Sequence, residues 1–276
     1  MNYVKDMREK LNIEYVKSEL IKTAYGGKET FLASLHPRTL IIWYLFFGIV
    51  PWFIHNKIVL SCFLVLMVVL TIMARVSPLI IVILCVGLLG EIGFLLLVSL
   101  VFGGGLASLI PMFWLTVKLA VIALASIAVF TSMDPERFSD ALLSFGVPGQ
   151  ASFSVSFGYR ILPTLVEEFQ RVFLSYRLRG KAPETHGIFY WRTASYYLKL
   201  LVLSFYPLIL NSAKRSRTTV EALETKGFSY SFTNSEVKKM KLAHLTYTYK
   251  DPLFLIGTVA YISFAFWLGT FLVDAE

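Results

Sequence analysis

The chain has 276 residues, of which 56% are apolar and 16% charged, with a net charge of +8 and a mean hydropathy of +0.66. That balance excludes an ordinary soluble globular protein, where about a quarter of residues are charged, and points to a chain built for the bilayer. The basic excess calls for no nucleic-acid partner, because membrane orientation and a surface facing anionic headgroups account for it.

Residues 1–30 are charged with scattered apolar positions, reading as an amphipathic surface segment at most. They lack the cleavable apolar core of a secretory signal. Apolar runs follow at 39–54, 58–74, 78–102, 109–131 and 253–273. The first is slightly short against the about 20 residues that cross a bilayer, and it is flanked by Trp43 and Trp52. Backbone groups in lipid must bond within their own segment, so the expected fold is all-α: a polytopic membrane bundle of about five spans with a block of long cytoplasmic helices. The expected division is an N-terminal segment 1–38, transmembrane helices over 39–131, a cytoplasmic block 132–250 and a last span within 251–276.

Glu91 in the third run and Lys118 in the fourth are intramembrane charges and should face other helices. Two readings stand: a pair locking two helices together, or part of an ion or substrate path. Cys62 and Cys85 both fall in apolar runs and read as small buried side chains.

Lys and Arg mark the cytoplasmic side. Of the 26, 7 precede the first span and 16 lie between Ser132 and Lys250. Placing both segments inside puts His55, Asn56 and Lys57 outside, Arg75 inside, Gly103, Gly104 and Gly105 outside, and residues 274–276 outside.

Within 132–250, Asp134, Pro135 and Glu136 make a good helix start, and Gly146 and Pro148 a stop. A second helix is expected from near Ser152 to Arg179, kinked at Pro163. Leu162, Leu165, Val166, Phe169, Val172, Phe173 and Tyr176 form its apolar face, and Glu167, Glu168, Gln170 and Arg171 another. Residues 181–186 read as a turn. A third helix is expected over about 188–226, with Pro207 as a candidate break. Its middle, 198–210, is almost wholly apolar and must be buried in protein or at the membrane boundary. Residues 228–250 read as a polar connector. The two long helices end alike, in Arg179-Gly180 and Lys226-Gly227. Glycine there can adopt positive φ, and the cation suits the negative end of the helix dipole. One such ending is common. Two, each a long helix after a proline, suggest paired cationic tips.

These residues carry a resemblance. Residues 132–228 are similar to the transmembrane coupling (T) component of energy-coupling factor transporters, the CbiQ/EcfT group. The similarity rests on the stretch from Pro135 to Pro148, Tyr159-Arg160-Ile161-Leu162-Pro163, Glu168, Arg171, Tyr176-Arg177-Leu178-Arg179-Gly180, Tyr206-Pro207-Leu208, Arg215, and Glu221 through Gly227 to Phe228. Leu35-His36-Pro37-Arg38-Thr39 is similar to the family's Asp-Pro-Arg-Thr-Lys motif, with His36 in place of the usual aspartate. The family ends each of two coupling helices in an Ala-Arg-Gly-like tripeptide. Here these are Leu178-Arg179-Gly180 and Thr225-Lys226-Gly227; lysine in the second keeps the charge but loses the planar fork. Arg177, Pro163, Pro207 and Arg215 are the implied supporting residues. The resemblance implies a prokaryotic plasma-membrane importer of a vitamin or transition metal. Its expected partners are two ATPase subunits (homo- or heterodimer), which hold ATP and magnesium, and a small membrane-embedded substrate-binding (S) component. It implies no cofactor, metal or catalytic residue on this chain itself.

The residues agree with that last expectation. Gly103, Gly104 and Gly105 lack the lysine of a phosphate-binding loop, and His36, His55, His186 and His244 form no His-Glu-x-x-His motif. The rival readings are an intramembrane enzyme, a scaffold that recruits soluble partners, and a secondary transporter using Glu91 and Lys118.

Overall fold

The computed structural model of the chain describes residues 30–101, 109–180, 191–243, 245 and 247–273. The segment 1–29, the glycines at 103–105, the turn expected at 181–186, His186, His244 and residues 274–276 lie outside them. The described residues are helical without strands, the all-α polytopic fold expected of this sequence. The chain divides into two compact units: Met1–Gly146 with Ala243–Glu276, and Val147–Leu242.

In the first unit a short 3₁₀ turn, Leu32–Ser34, precedes α1 (Pro37–Phe53), α2 (Lys57–Met73), α3 (Pro78–Val101), α4 (Leu109–Ser132) and α5 (Pro135–Ser144); α10 (Lys250–Val273) completes it. Helix α4 packs against α1, α2 and α3, and α10 packs against α2. Buried Ala120, Ala125 and Ala128 line α4, and small side chains of this kind let helix backbones approach closely in a membrane. Phe47 is fully buried at the centre, with its ring 4.7 Å from Trp43 and 5.3 Å from Phe63. Asn56 starts α2 by accepting from the Ile58 N–H, and its amide donates to the Gly269 carbonyl, joining α2 to α10.

Helices α3, α4 and α10 are long and apolar enough to cross a membrane; α1 and α2, at 17 residues each, are shorter apolar helices. Seventeen residues rise about 25 Å, somewhat less than a typical hydrocarbon core. At α5 the expected boundary holds, with Pro135 at the first position and Gly146 at φ 93° beyond the end. The expected cap does not: the Asp134 side chain makes no capping bond. Its charge instead favours that of Arg137, one turn on.

The second unit is a hairpin of α6 (Gly149–Arg179) and α7 (Trp191–Thr225), followed by α8 (Phe228–Thr233) and α9 (Ser235–Leu242). Three expectations change here. Helix α6 begins at Gly149 rather than near Ser152. The candidate break at Pro207 is absent: α7 runs unbroken through it, as α6 does through Pro163, since a proline deletes one backbone bond and about eight turns of flanking helix remain. The polar connector is partly helical, carrying α8 and α9.

The hairpin is antiparallel. Phe153 near the start of α6 meets Phe228 just beyond α7, at 4.6 Å between ring centroids, and Phe169 lies 5.7 Å from Phe205. Among the described residues of this unit only Ser152, Leu200 and Ser204 are fully buried. The apolar middle of α7 is therefore not covered by its own chain: Leu198, Val202 and Ile209 are all more than 60% exposed. Helix α7 also meets the length and composition of a membrane span, although the sequence reading placed it in the cytoplasmic block.

Candidate functional site

At the end of α6, Arg177, Leu178, Arg179 and Gly180 are all exposed, Leu178 to 87%. The Gly180 N–H donates to the Tyr176 carbonyl at 2.9 Å and closes the last turn. Gly180 does not take the left-handed conformation its sequence suggests; its φ is −87° and the chain leaves extended. What requires glycine is space. A Cβ there would lie 2.8 Å from the Tyr196 hydroxyl and 3.2 Å from the Tyr176 carbonyl oxygen. The Tyr196 hydroxyl, from the start of α7, is buried against this glycine with no hydrogen-bond partner among the described residues.

The end of α7 is built differently. Thr225, Lys226 and Gly227 are exposed. Gly227 is left-handed, at φ 74° and ψ 28°, so the helix ends and α8 begins at once. Its N–H donates to the Glu224 carbonyl at 2.9 Å, and the Ser229 hydroxyl donates to the Glu224 carboxylate at 2.8 Å. Neither Arg177, Arg179 nor Lys226 has an ion-pair partner among the described residues.

Because the hairpin is antiparallel, the two cationic tips lie at its opposite ends. Between them Arg215 of α7 forms an ion pair with Glu168 of α6. Each member stands 11 residues from the tip of its own helix, about 16 Å of helix in each direction. Glu168 is the more buried partner, 18% exposed against 37% for Arg215, and its second oxygen is buried without a partner among the described residues. The exposed pairs Arg171–Glu167 and Arg217–Glu221 contribute little, as surface pairs do.

The motif at 35–39 occupies a second polar centre that sequence reading did not assemble. Arg38 donates to both the hydroxyl and the carbonyl of Ser144 at the end of α5. Arg137 of α5 donates to the carbonyls of Ala33 and Leu35, the latter at 2.7 Å. Asp251, 2% exposed, accepts the His36 N–H at 2.6 Å and the Thr248 N–H at 2.9 Å. The His36 ring stacks on Tyr247 at 4.0 Å, and its Nδ1 accepts the Arg38 N–H at 3.2 Å, capping α1. Burial pushes the His36 pKa below its ordinary 6.5; Arg38 and Arg137 act in the same direction, while Asp251 and the Leu245 backbone oppose them. Arg38 was legible as part of a motif. Its partners lie 106 residues away, and Asp251 lies 215 residues from His36, separations with no periodic signature.

Glu91 and Lys118 do not pair. The Lys118 ammonium donates to the Trp52 carbonyl at 3.4 Å, on the last turn of α1, where a cation is favoured. Glu91 has no hydrogen-bond or ion-pair partner among the described residues. Among those residues no three His, Cys, Asp or Glu side chains cluster to hold a metal.

The fold defines the class as a polytopic α-helical membrane protein. Residues 28–237 match the family model of CbiQ, described as a cobalt transport protein. The match covers most of the chain, and the chain belongs to the CbiQ family of cobalt transport proteins, which are transporters rather than enzymes. No curated protein matches the chain.

Proposed function

We propose that this chain is the transmembrane coupling component of an ATP-driven, energy-coupling-factor type micronutrient importer in a prokaryotic plasma membrane. The residues that carry the role are Arg179 and Lys226, with Leu178, Gly180, Thr225 and Gly227 shaping the two tips. Arg177, Pro163, Pro207 and Arg215 support them. The observation that favours this reading most is a hairpin with an exposed cation at each end, neither with an ion-pair partner among the described residues. The two tips are about 33 Å apart along the helices. That separation suits two distinct acidic grooves, one on each of two ATPase subunits. A ligand biases a two-state element only through differential contacts. ATP and magnesium bound between the partners would close and reopen them, and the hairpin would turn with its two ends. The exposed apolar middle of α7 fits a small substrate-binding membrane subunit, which tilts to release a transition metal or vitamin inside. The substrate is chosen by that subunit.

Truncating one partner of a buried charge pair typically costs about 2–5 kcal/mol, and reversing the charge costs more. In a complex purified from its native membrane and reconstituted, Arg179→Glu is expected to lose the ATPases and abolish uptake. Wild-type uptake by that variant would remove the role. The rival secondary transporter makes the opposite forecast: gradient-driven uptake that depends on Glu91 and ignores Arg179. Lys118 is engaged with the Trp52 carbonyl rather than with Glu91, which removes the reading of the two as a pair that locks helices together and leaves the rival to that uptake test.

A further inference from the structure

The polar centre around Arg38 is built from residues other than the two cationic tips, and its position along the chain gives it a task. The hairpin unit joins the first unit by two connections, after Gly146 and before Ala243. The outgoing connection leaves from the end of α5, where Arg38 holds Ser144 by hydroxyl and carbonyl together. The returning connection enters α10 through Tyr247, stacked on His36, and through Thr248 and Asp251. Asp251 also takes the backbone N–H of His36. Arg137, on α5 itself, holds the carbonyls of Ala33 and Leu35. One short stretch, residues 33–38, therefore fastens both connections.

The fastening is buried at its centre, at His36 and Asp251, and half-buried at Arg38, Arg137 and Ser144. Asp251 is 2% exposed with both oxygens engaged, and it lies close enough to Arg137 for its charge to favour the guanidinium. Buried polar networks with every member satisfied hold a single geometry. A hairpin turned by its ends moves a transmembrane bundle only when the joints between them do not yield. We infer that Arg38, Arg137 and Asp251 are positioning residues that stiffen both connections, so that rotation of the hairpin reaches α1, α5 and α10 instead of being absorbed at the joints. This rests on the coupling reading above.

The test uses the whole complex in proteoliposomes, reading ATPase retention, ATP hydrolysis and uptake separately. Arg38→Ala is expected to keep the ATPases and their hydrolysis near wild type while uptake falls about tenfold, the scale of an ordinary coupling free energy. Arg38→Lys, which can still reach the Ser144 carbonyl, should recover part of that loss. Ser144→Ala, which removes one hydroxyl and carries little folding risk, should show a smaller loss of uptake at unchanged hydrolysis. Unchanged uptake in Arg38→Ala and Ser144→Ala overturns the inference. So does a parallel fall of uptake and hydrolysis in proportion to assembled complex, which marks a merely structural role. A wild-type complex that purifies without nucleotide-binding subunits overturns the coupling reading itself and this inference with it, and that result is seen before any variant is made.

Discussion

Gly180 and Gly227 look equivalent in sequence and are required for different reasons. Gly227 sits at φ 74°, where a side chain costs about 1–2 kcal/mol. Gly180 has an ordinary backbone and is held by the Tyr196 hydroxyl, 2.8 Å from where a Cβ would stand. Gly180→Ala must therefore displace the Tyr196 side chain from its seat beside the Arg179 tip, and uptake and ATPase retention are expected to fall. Adding Tyr196→Phe deletes the obstructing oxygen and is expected to restore much of both; the same second change should do nothing for Gly227→Ala. That glycine follows the cation at each helix end was readable. That one of them answers a phenol 16 residues onward was not, because a steric need leaves no periodic trace. His36 poses a related question. Its folded pKa is depressed, so the unfolded state binds the proton more tightly. The stability it contributes is present above the ordinary 6.5 and is lost as pH falls below it. Protonation would also remove the Nδ1 acceptor that caps α1. His36→Asn keeps a capping oxygen and does not titrate, so its thermal midpoint in detergent should fall less than that of wild type between about pH 7 and pH 5.

At the scale of helices, apolar runs and capping residues announced nearly every element, because a lipid-facing or core-facing stripe must be written into the local sequence. The misses were local too. Pro207 read as a candidate break, yet it lies inside a continuous helix. Phe228 to Leu242 read as connector, yet it contains two short helices. The Phe228 ring folds back on Phe153, a tertiary contact that stabilises a segment with no strong helical pattern of its own. Arg215 and Glu168 were each visible, but 47 residues separate them, and only the hairpin brings them together. Their pair has a measurable consequence. Arg215→Ala leaves Glu168 mostly buried and uncompensated. A fully buried pair broken this way loses about 3–5 kcal/mol. With Arg215 37% exposed, solvent screening reduces that to about 1–2 kcal/mol. A lowered thermal midpoint and reduced uptake are expected, and the double exchange Glu168→Arg with Arg215→Glu should recover both. Failure of the exchange to improve on either single change would mean that the two helices are not held at this point.

For the molecule as a whole the decisive question is which side of the membrane each tip faces. Helix α7 is long and apolar enough to span, and it begins close to the Arg179 tip, with Tyr196 packed on Gly180. If α7 crossed the bilayer, Arg179 and Lys226 would emerge on opposite faces, and two cytoplasmic ATPases could not hold both. Charge argues against crossing. Lys214, Arg215 and Arg217 lie within the helix, and 16 of the 26 Lys and Arg residues fall in 132–250, an excess that marks the cytoplasmic side. Single cysteines placed on a background lacking Cys62 and Cys85 decide between the two arrangements. With a membrane-impermeant maleimide, cysteines replacing Arg179 and Lys226 should both be silent in intact cells and both react in inside-out vesicles. A cysteine replacing His55 should show the reverse. Labelling of the Lys226 position from outside, with the Arg179 position labelled only from inside, would make α7 a span. The two cations could not then act as a pair, because a hairpin threaded through the bilayer cannot be turned by its ends from one compartment.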